Sequence, residues 1–168
     1  AFHRFVPDQA YETFVEKNKK WLEDYSLYMA IKNSLGGIAW SEWEAPLKTR
    51  QEAALEEKRV ELKEQMDFIC FQQYEFAKQW EKLKQYANEK DIQIIGDIPI
   101  YVAFDSADAW ANPELFQFDE NSTPLAVAGC PPDAFAATGQ LWGNPLYRWD
   151  YNAQTGYVWW ISRLRHCF

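Results

Sequence analysis

The chain has 168 residues, of which 48% are hydrophobic and 25% charged, a size and balance that fit one globular domain and exclude a disordered chain. The net charge of −8 is uneven: residues 1–90 carry 14 Lys+Arg against 16 Asp+Glu, and residues 91–168 carry 3 against 9 with no Lys, so nothing basic is present there to neutralise a nucleic acid. No apolar run reaches the length of a membrane-spanning helix, and the opening AFHRFVPDQ lacks a secretory leader's basic start and apolar core.

In chain order, Gln9–Lys17 reads as a short helix entered through Pro7 and an Asp8 N-cap. Lys20–Leu35 reads as a second helix, with Leu22, Tyr25 and Tyr28 or Met29 on one face and Gly36-Gly37 as its stop. Ser41–Leu47 is a connector next to Trp40, carrying Trp43 and Pro46. Thr49–Glu89 is then periodic throughout. Leu62, Met66, Ile69, Gln73, Phe76, Trp80, Leu83 and Ala87 alternate spacings of four and three, which predicts a single helix of about 40 residues. Phe68, Phe71, Tyr74 and Tyr86 widen that face beyond a two-stranded seam, so packing on a globular core is favoured over a coiled coil.

The texture changes at DIQIIGDIPIYV. Ile92–Ile95 predicts a short strand buried on both faces, ending near Gly96-Asp97 because Pro99 forbids an interior ladder position. DSADAW and ANPELF predict two short helical turns, the first capped by Asp105 or Ser106 and the second by Asn112 with Pro113 following. DENSTP is a turn and Leu125–Ala128 a short strand. Gly129–Tyr157, punctuated by Gly and Pro, predicts a long irregular loop. GYVWWISRLRHCF predicts an amphipathic terminal helix with Val158, Ile161, Leu164 and Phe168 on its apolar face and Arg163 and Arg165 turned away. That helix has no stop signal and the chain has no initial Met, so a fragment of a larger protein is expected.

Two histidines at opposite ends and three scattered cysteines offer no metal-ligand spacing and no disulfide framework; no metal or cofactor is expected, and a reducing, cytoplasmic setting is. A serine elbow, a P-loop and a dinucleotide fingerprint are absent. Nine Trp, nine Tyr and eleven Phe remain, with carboxylates and amides that include Asp97, Asp105, Asp108, Asp133, Gln140 and Asn144. Rings stack on the apolar faces of sugars, and carboxylates and amides bond their hydroxyl pairs. Each group also has a plainer reading: Asp97 as a turn cap, Trp142 as core packing, Asp105, Ser106 and Asp108 as helix caps, and Trp159-Trp160 as packing.

GDIPIYVAFDSADAWANPELF, VAGCPPDAFAATGQLWGNPLYRWD and TGYVWWISRLR, with WLEDYSLYMAIK and QQYEFAKQWEKLKQYAN upstream, resemble the 4-α-glucanotransferases of glycoside hydrolase family 77, also called amylomaltases or disproportionating enzymes. The resemblance is nearly collinear over the chain. It implies an α/β fold, part of a (β/α)₈ barrel with inserted helical and irregular segments. Residues 1–90 would be the helical part, and 91–168 a barrel strand with substrate loops and a truncated terminal helix. The implied activity is transfer of α-1,4-glucan segments between maltooligosaccharides by a retaining double displacement, which needs a nucleophile and an acid/base carboxyl about 5–5.5 Å apart. The family's nucleophile motif, RIDHFRG-like, and its acid/base Glu are absent from this chain. The implied catalytic set here is therefore empty, and the chain alone is expected to be inactive. By position, Asp97 matches a sugar-binding Asp, and Asp133, Phe135, Gln140 and Trp142 match the loop over the donor subsites, with Asn144 in the same motif. Ala134 stands where the family often has Tyr, removing a stacking surface, and Cys130 where Val is common. The implied partners are maltooligosaccharides and other α-1,4-glucans, with neither nucleic acid nor membrane, and with self-association through incomplete-barrel surfaces. A non-catalytic carbohydrate-binding module and a helical interaction module are the competing classes.

Overall fold

A computed structural model describes residues 2–167. The chain divides into two units, one formed by Ala1–Ile38 with Arg50–Ile95 and the other by Ala39–Thr49 with Gly96–Phe168.

The first unit is helical. Helix α1 spans Gln9–Ser34 as one element, where the sequence predicts two. The polar run Lys17–Lys20 does not interrupt it, because Asn18 turns its amide back onto the Phe14 carbonyl at 2.8 Å and so stays within the helical ladder. Its start is the expected one: Asp8 Oδ1 accepts the Tyr11 backbone N–H at 2.8 Å. Its end is a Schellman motif. Gly37 N–H reaches the Lys32 carbonyl and Gly36 N–H the Asn33 carbonyl, with both glycines at positive φ. The expected forty-residue helix is two, α3 over Glu52–Glu61 and α4 over Lys63–Asn88, broken at the buried Leu62. Neither Pro nor Gly marks that break; Leu62 leaves helical geometry (φ −104°, ψ 19°) with its side chain in the core. Helix α4 packs along α1, and Tyr74 lies between the rings of Tyr11 and Phe14 at 5.4 and 5.5 Å. The seam is buried at Leu62, Ile69 and Ala87, while Phe76, Trp80 and Leu83 are solvent-exposed.

Ile92–Ile95 is not a strand. The segment joins no ladder, and Ile92, Ile94 and Ile95 are exposed. A run rich in β-branched residues becomes a strand only when a neighbour takes its backbone groups, and the only ladder among the described residues pairs β1 with β2.

The second unit is built on aromatic side chains. A 3₁₀ turn at Trp40–Glu42 and the short helix α2 (Ala45–Lys48) bring Trp40, Trp43 and Leu47 into its core. Trp40 Nε1 donates to the Phe104 carbonyl at 2.7 Å, and Trp110 Nε1 to the Leu47 carbonyl at 3.0 Å. Trp110 lies on α5 (Ala107–Ala111), whose N-cap is Ser106. Asp105 instead accepts the Trp40 backbone N–H at 3.3 Å, and Asn112 makes no side-chain cap for the Pro113–Leu115 turn.

The expected irregular loop contains an antiparallel hairpin, β1 (Val127–Cys130) with β2 (Gln140–Pro145), followed by helix α6 (Trp149–Gln154). Four of the six residues of β2 are exposed, so it carries none of the apolar alternation by which a strand is read from sequence. The terminal helix α7 (Val158–Cys167) is present with the opposite orientation to that expected. Val158, Ile161 and Leu164 face solvent, while Arg163 lies over the rings of Trp159 and Trp160 at 4.6 and 5.0 Å. The two indoles carry more area than the three aliphatic side chains, and they take the guanidinium inward with them. Phe168 lies outside the described residues.

Candidate functional site

The candidate residues sit on two stretches of the second unit: Asp97 with the backbone after it, and the hairpin. The hairpin geometry depends on two glycines. A Cβ at Gly129 would collide with the Gln140 backbone, and one at Gly139 (φ +72°) would lie 2.6 Å from the Cys130 carbonyl oxygen. The strands therefore approach each other closely just where the loop 131–139 leaves them.

Within that loop Asp133 is an organiser. Its Oδ1 accepts the backbone N–H groups of Phe135 and Ala136 at 2.8 and 2.7 Å, and its own N–H donates to the Ala136 carbonyl. This turn leaves Phe135 97% exposed, a ring with almost no contact to its own chain. Gln140 and Trp142 follow on β2. Trp142 is half exposed, and its indole N–H donates to Gln140 Oε1 at 3.0 Å. The Tyr101 ring stands edge-on to that indole with centroids 6.2 Å apart. Asn144, half-buried, donates from Nδ2 to the Val102 carbonyl at 2.8 Å.

Asp97 is exposed and its Oδ1 accepts the Ile98 backbone N–H at 2.8 Å. The other acidic candidates have structural partners as well. Asp108 accepts the Trp159 indole N–H at 3.3 Å, so the indole pair is packing and Asp108 does more than face a helix end. Among the described residues no three His, Cys, Asp or Glu side chains gather to hold a metal ion, and no helix is long and apolar enough to cross a membrane.

Neither Tyr101 nor Tyr147 is among the residues to which the sequence gives a role of their own in the site. Tyr147 is 2% exposed, its ring lies parallel to that of Tyr101 at 6.0 Å, and its hydroxyl donates to the Ile100 carbonyl at 2.7 Å. Burial pushes the Tyr147 phenol upward in pKa, against the opposing charge of Arg163, so it stays a hydrogen-bond donor at neutral pH. Aromatic density was the only available signal for these two, and in this chain it does not discriminate.

Exposed rings beside carboxylate and amide side chains are groups that can stack on the apolar face of a sugar and bond its hydroxyls. Residues 2–168 match the model of glycoside hydrolase family 77, described as 4-alpha-glucanotransferase, and the chain belongs to that family. It is 50% identical over 159 residues to the 4-alpha-glucanotransferase of Clostridium butyricum, covering 94% of this chain and 33% of the relative. Identity to the Aquifex aeolicus (strain VF5) 4-alpha-glucanotransferase is 48% over 166 residues, covering 99% and 34%. A solved amylomaltase from Streptococcus agalactiae, in complex with acarbose, matches with a TM-score of 0.88 at 46% identity, over 93% of this chain and 32% of that one. The chain thus spans about a third of the length of these relatives.

Proposed function

We propose that this chain is the part of a cytoplasmic 4-α-glucanotransferase that grips an α-1,4-glucan, and that the parent transfers glucan segments between maltooligosaccharides by a retaining double displacement. In the parent the segment ending at Asp97 is a barrel strand that pairs with neighbours beyond this chain. Asp97, Asp133, Gln140 and Asn144 surround the sugar and Phe135 and Trp142 stack on it. The observation that carries the reading is the Trp142 indole, half exposed and held by Gln140 in a member of this family.

The chain alone is inactive in this reading. Retention needs one carboxylate as nucleophile and a second carboxyl to protonate the leaving oxygen. Asp97 and Asp133 organise their own turns, Asp105 holds Trp40 and Asp108 holds Trp159. Stacking rings without an acid/base pair bind sugar but do not favour the transition state over the ground state.

The test is to titrate the chain with maltoheptaose or acarbose, following tryptophan fluorescence, and to incubate it with maltotriose. A saturable change that Trp142→Ala abolishes, with no glucose or longer products, is the expected result. No change with either ligand removes the glucan reading, and transfer products would mean that the catalytic pair lies within the chain.

A further inference from the structure

The backbone between Asp97 and α5 belongs to no helix or ladder. Four of its carbonyls are nevertheless taken by side chains from elsewhere in the unit: that of Phe104 by Trp40, and three nearer Asp97. Arg163 Nη2 on α7 donates to the Pro99 carbonyl at 2.7 Å, the Tyr147 hydroxyl to Ile100 at 2.7 Å, and Asn144 Nδ2 at the end of β2 to Val102 at 2.8 Å. The donors lie between 42 and 64 positions away in sequence, so these are tertiary restraints rather than local turns.

The restraint is stiff on the donor side. The Tyr147 ring is hemmed in by Phe116, Trp159 and Trp160 at centroid distances of 5.2, 5.7 and 5.1 Å. Arg163 is pinned over the same two indoles. The restrained segment carries Tyr101, whose ring lies parallel to Tyr147 on one side and edge-on to Trp142 on the other. The three bonds therefore fix the backbone that bears Tyr101, a ring adjoining the proposed stacking indole, and that leads directly from Asp97.

We propose that Asn144, Tyr147 and Arg163 are positioning residues of the glucan site, which hold Ile98–Val102 by its carbonyls and so keep Asp97 and the Tyr101 ring in register with Trp142. This rests on the glucan reading for its purpose, but not for its geometry. Asn144 then serves the sugar through the backbone as well as from beside it: one of its two amide N–H groups is committed to Val102. A segment that has no ladder must be ordered before it can present groups to a ligand, and restraint supplied in advance lowers the entropy lost on binding.

The test uses the 168-residue chain, with ¹⁵N relaxation on Asp97–Ala103 and maltoheptaose titration for each variant. Tyr147→Phe removes one oxygen and keeps the ring; Arg163→Gln and Arg163→Lys separate loss of the cation from its conservative replacement; Asn144→Asp turns the donor into an acceptor facing a carbonyl. Expected order parameters for Ile100, Tyr101 and Val102 fall from about 0.85 to below about 0.6 in Tyr147→Phe, Arg163→Gln and Asn144→Asp, while α1 and α4 keep theirs. The maltoheptaose dissociation constant rises about tenfold in the same variants, and Arg163→Lys recovers most of both losses. Unchanged order parameters in all three loss variants overturn the restraint. A loosened segment with wild-type affinity overturns the positioning role. A wild-type chain that does not respond to maltoheptaose sinks the glucan reading, while the relaxation comparison still decides the restraint. If Tyr147→Phe loses its fold, Arg163→Gln and Asn144→Asp, on residues that are only half-buried, decide the matter.

Discussion

Gln140 and Trp142, two residues apart on β2, share one face of the strand, and the Gln140 side-chain oxygen accepts the Trp142 indole N–H at 3.0 Å. The indole is thereby oriented by a side chain that is itself exposed. Gln140→Leu keeps the side chain's bulk and removes the acceptor. Maltoheptaose affinity measured by fluorescence is expected to fall about three- to tenfold, the scale of one hydrogen bond. The urea midpoint should not move, because neither residue belongs to the core. A lowered midpoint with unchanged affinity would reverse the assignment.

Gly129 and Gly139 are required for the hairpin by close approach rather than by flexibility in general. Gly139→Ala meets both the positive φ and the Cys130 carbonyl, and Gly129→Ala meets the Gln140 backbone. Each is expected to cost about 1–3 kcal/mol by urea denaturation. Gly143→Ala has open space around it and only the φ of +80° to overcome, so it should cost less than either.

The Tyr11 phenol, pushed up to about 12 chiefly by burial and further by Cys70 and Asp67, gives a pH signature. The native state holds that proton more tightly than the unfolded chain, whose phenol titrates near 10. Its contribution is fully present below about pH 10 and is lost as pH rises through about 12. In Tyr11→Phe the fall in stability over that interval should be shallower than in the wild type. Parallel curves in urea titrations across those pH values would show that the phenol is not the group responsible.

Helix α4 exposes Phe76, Trp80 and Leu83 at spacings of four and three, 64%, 41% and 52% exposed. The isolated chain is expected to cover this stripe with a second copy. Light scattering should give a mass that climbs with concentration, and Trp80→Glu should return it to that of the monomer. A mass independent of concentration in the wild type refutes this.

What the sequence revealed is what its near neighbours determine. The Asp8 cap, the Gly36-Gly37 stop and the Ser106 cap each involve residues within a few positions, so a local reading finds them. The family resemblance was legible for another reason: its motifs are long and run along nearly the whole chain. Ile92–Ile95 failed because a strand is a property of two segments, and only one was visible. Helix α7 failed in orientation because periodicity marks a stripe without saying whether Val158-Ile161-Leu164 or Trp159-Trp160-Arg163 meets the neighbour. The carbonyl restraints on Ile98–Val102 leave no local trace at all, since their donors lie more than forty positions away.

The second unit is assembled from two stretches separated by the helices α3 and α4, with Trp110 bonded to Leu47 across 63 positions and its ring set against Trp43 at 5.6 Å. On a ribosome this means waiting. At the ordinary rate of synthesis, about 5–20 residues per second, Trp40 and Trp43 emerge about 3–13 s before the residue that shields Trp43. Helices α3 and α4 need only local contacts and are complete within that interval. Two large indoles are therefore displayed on the nascent chain for seconds beside an already formed helical body, and that interval, rather than the finished fold, is when this stretch is most open to aggregation or to capture by a chaperone.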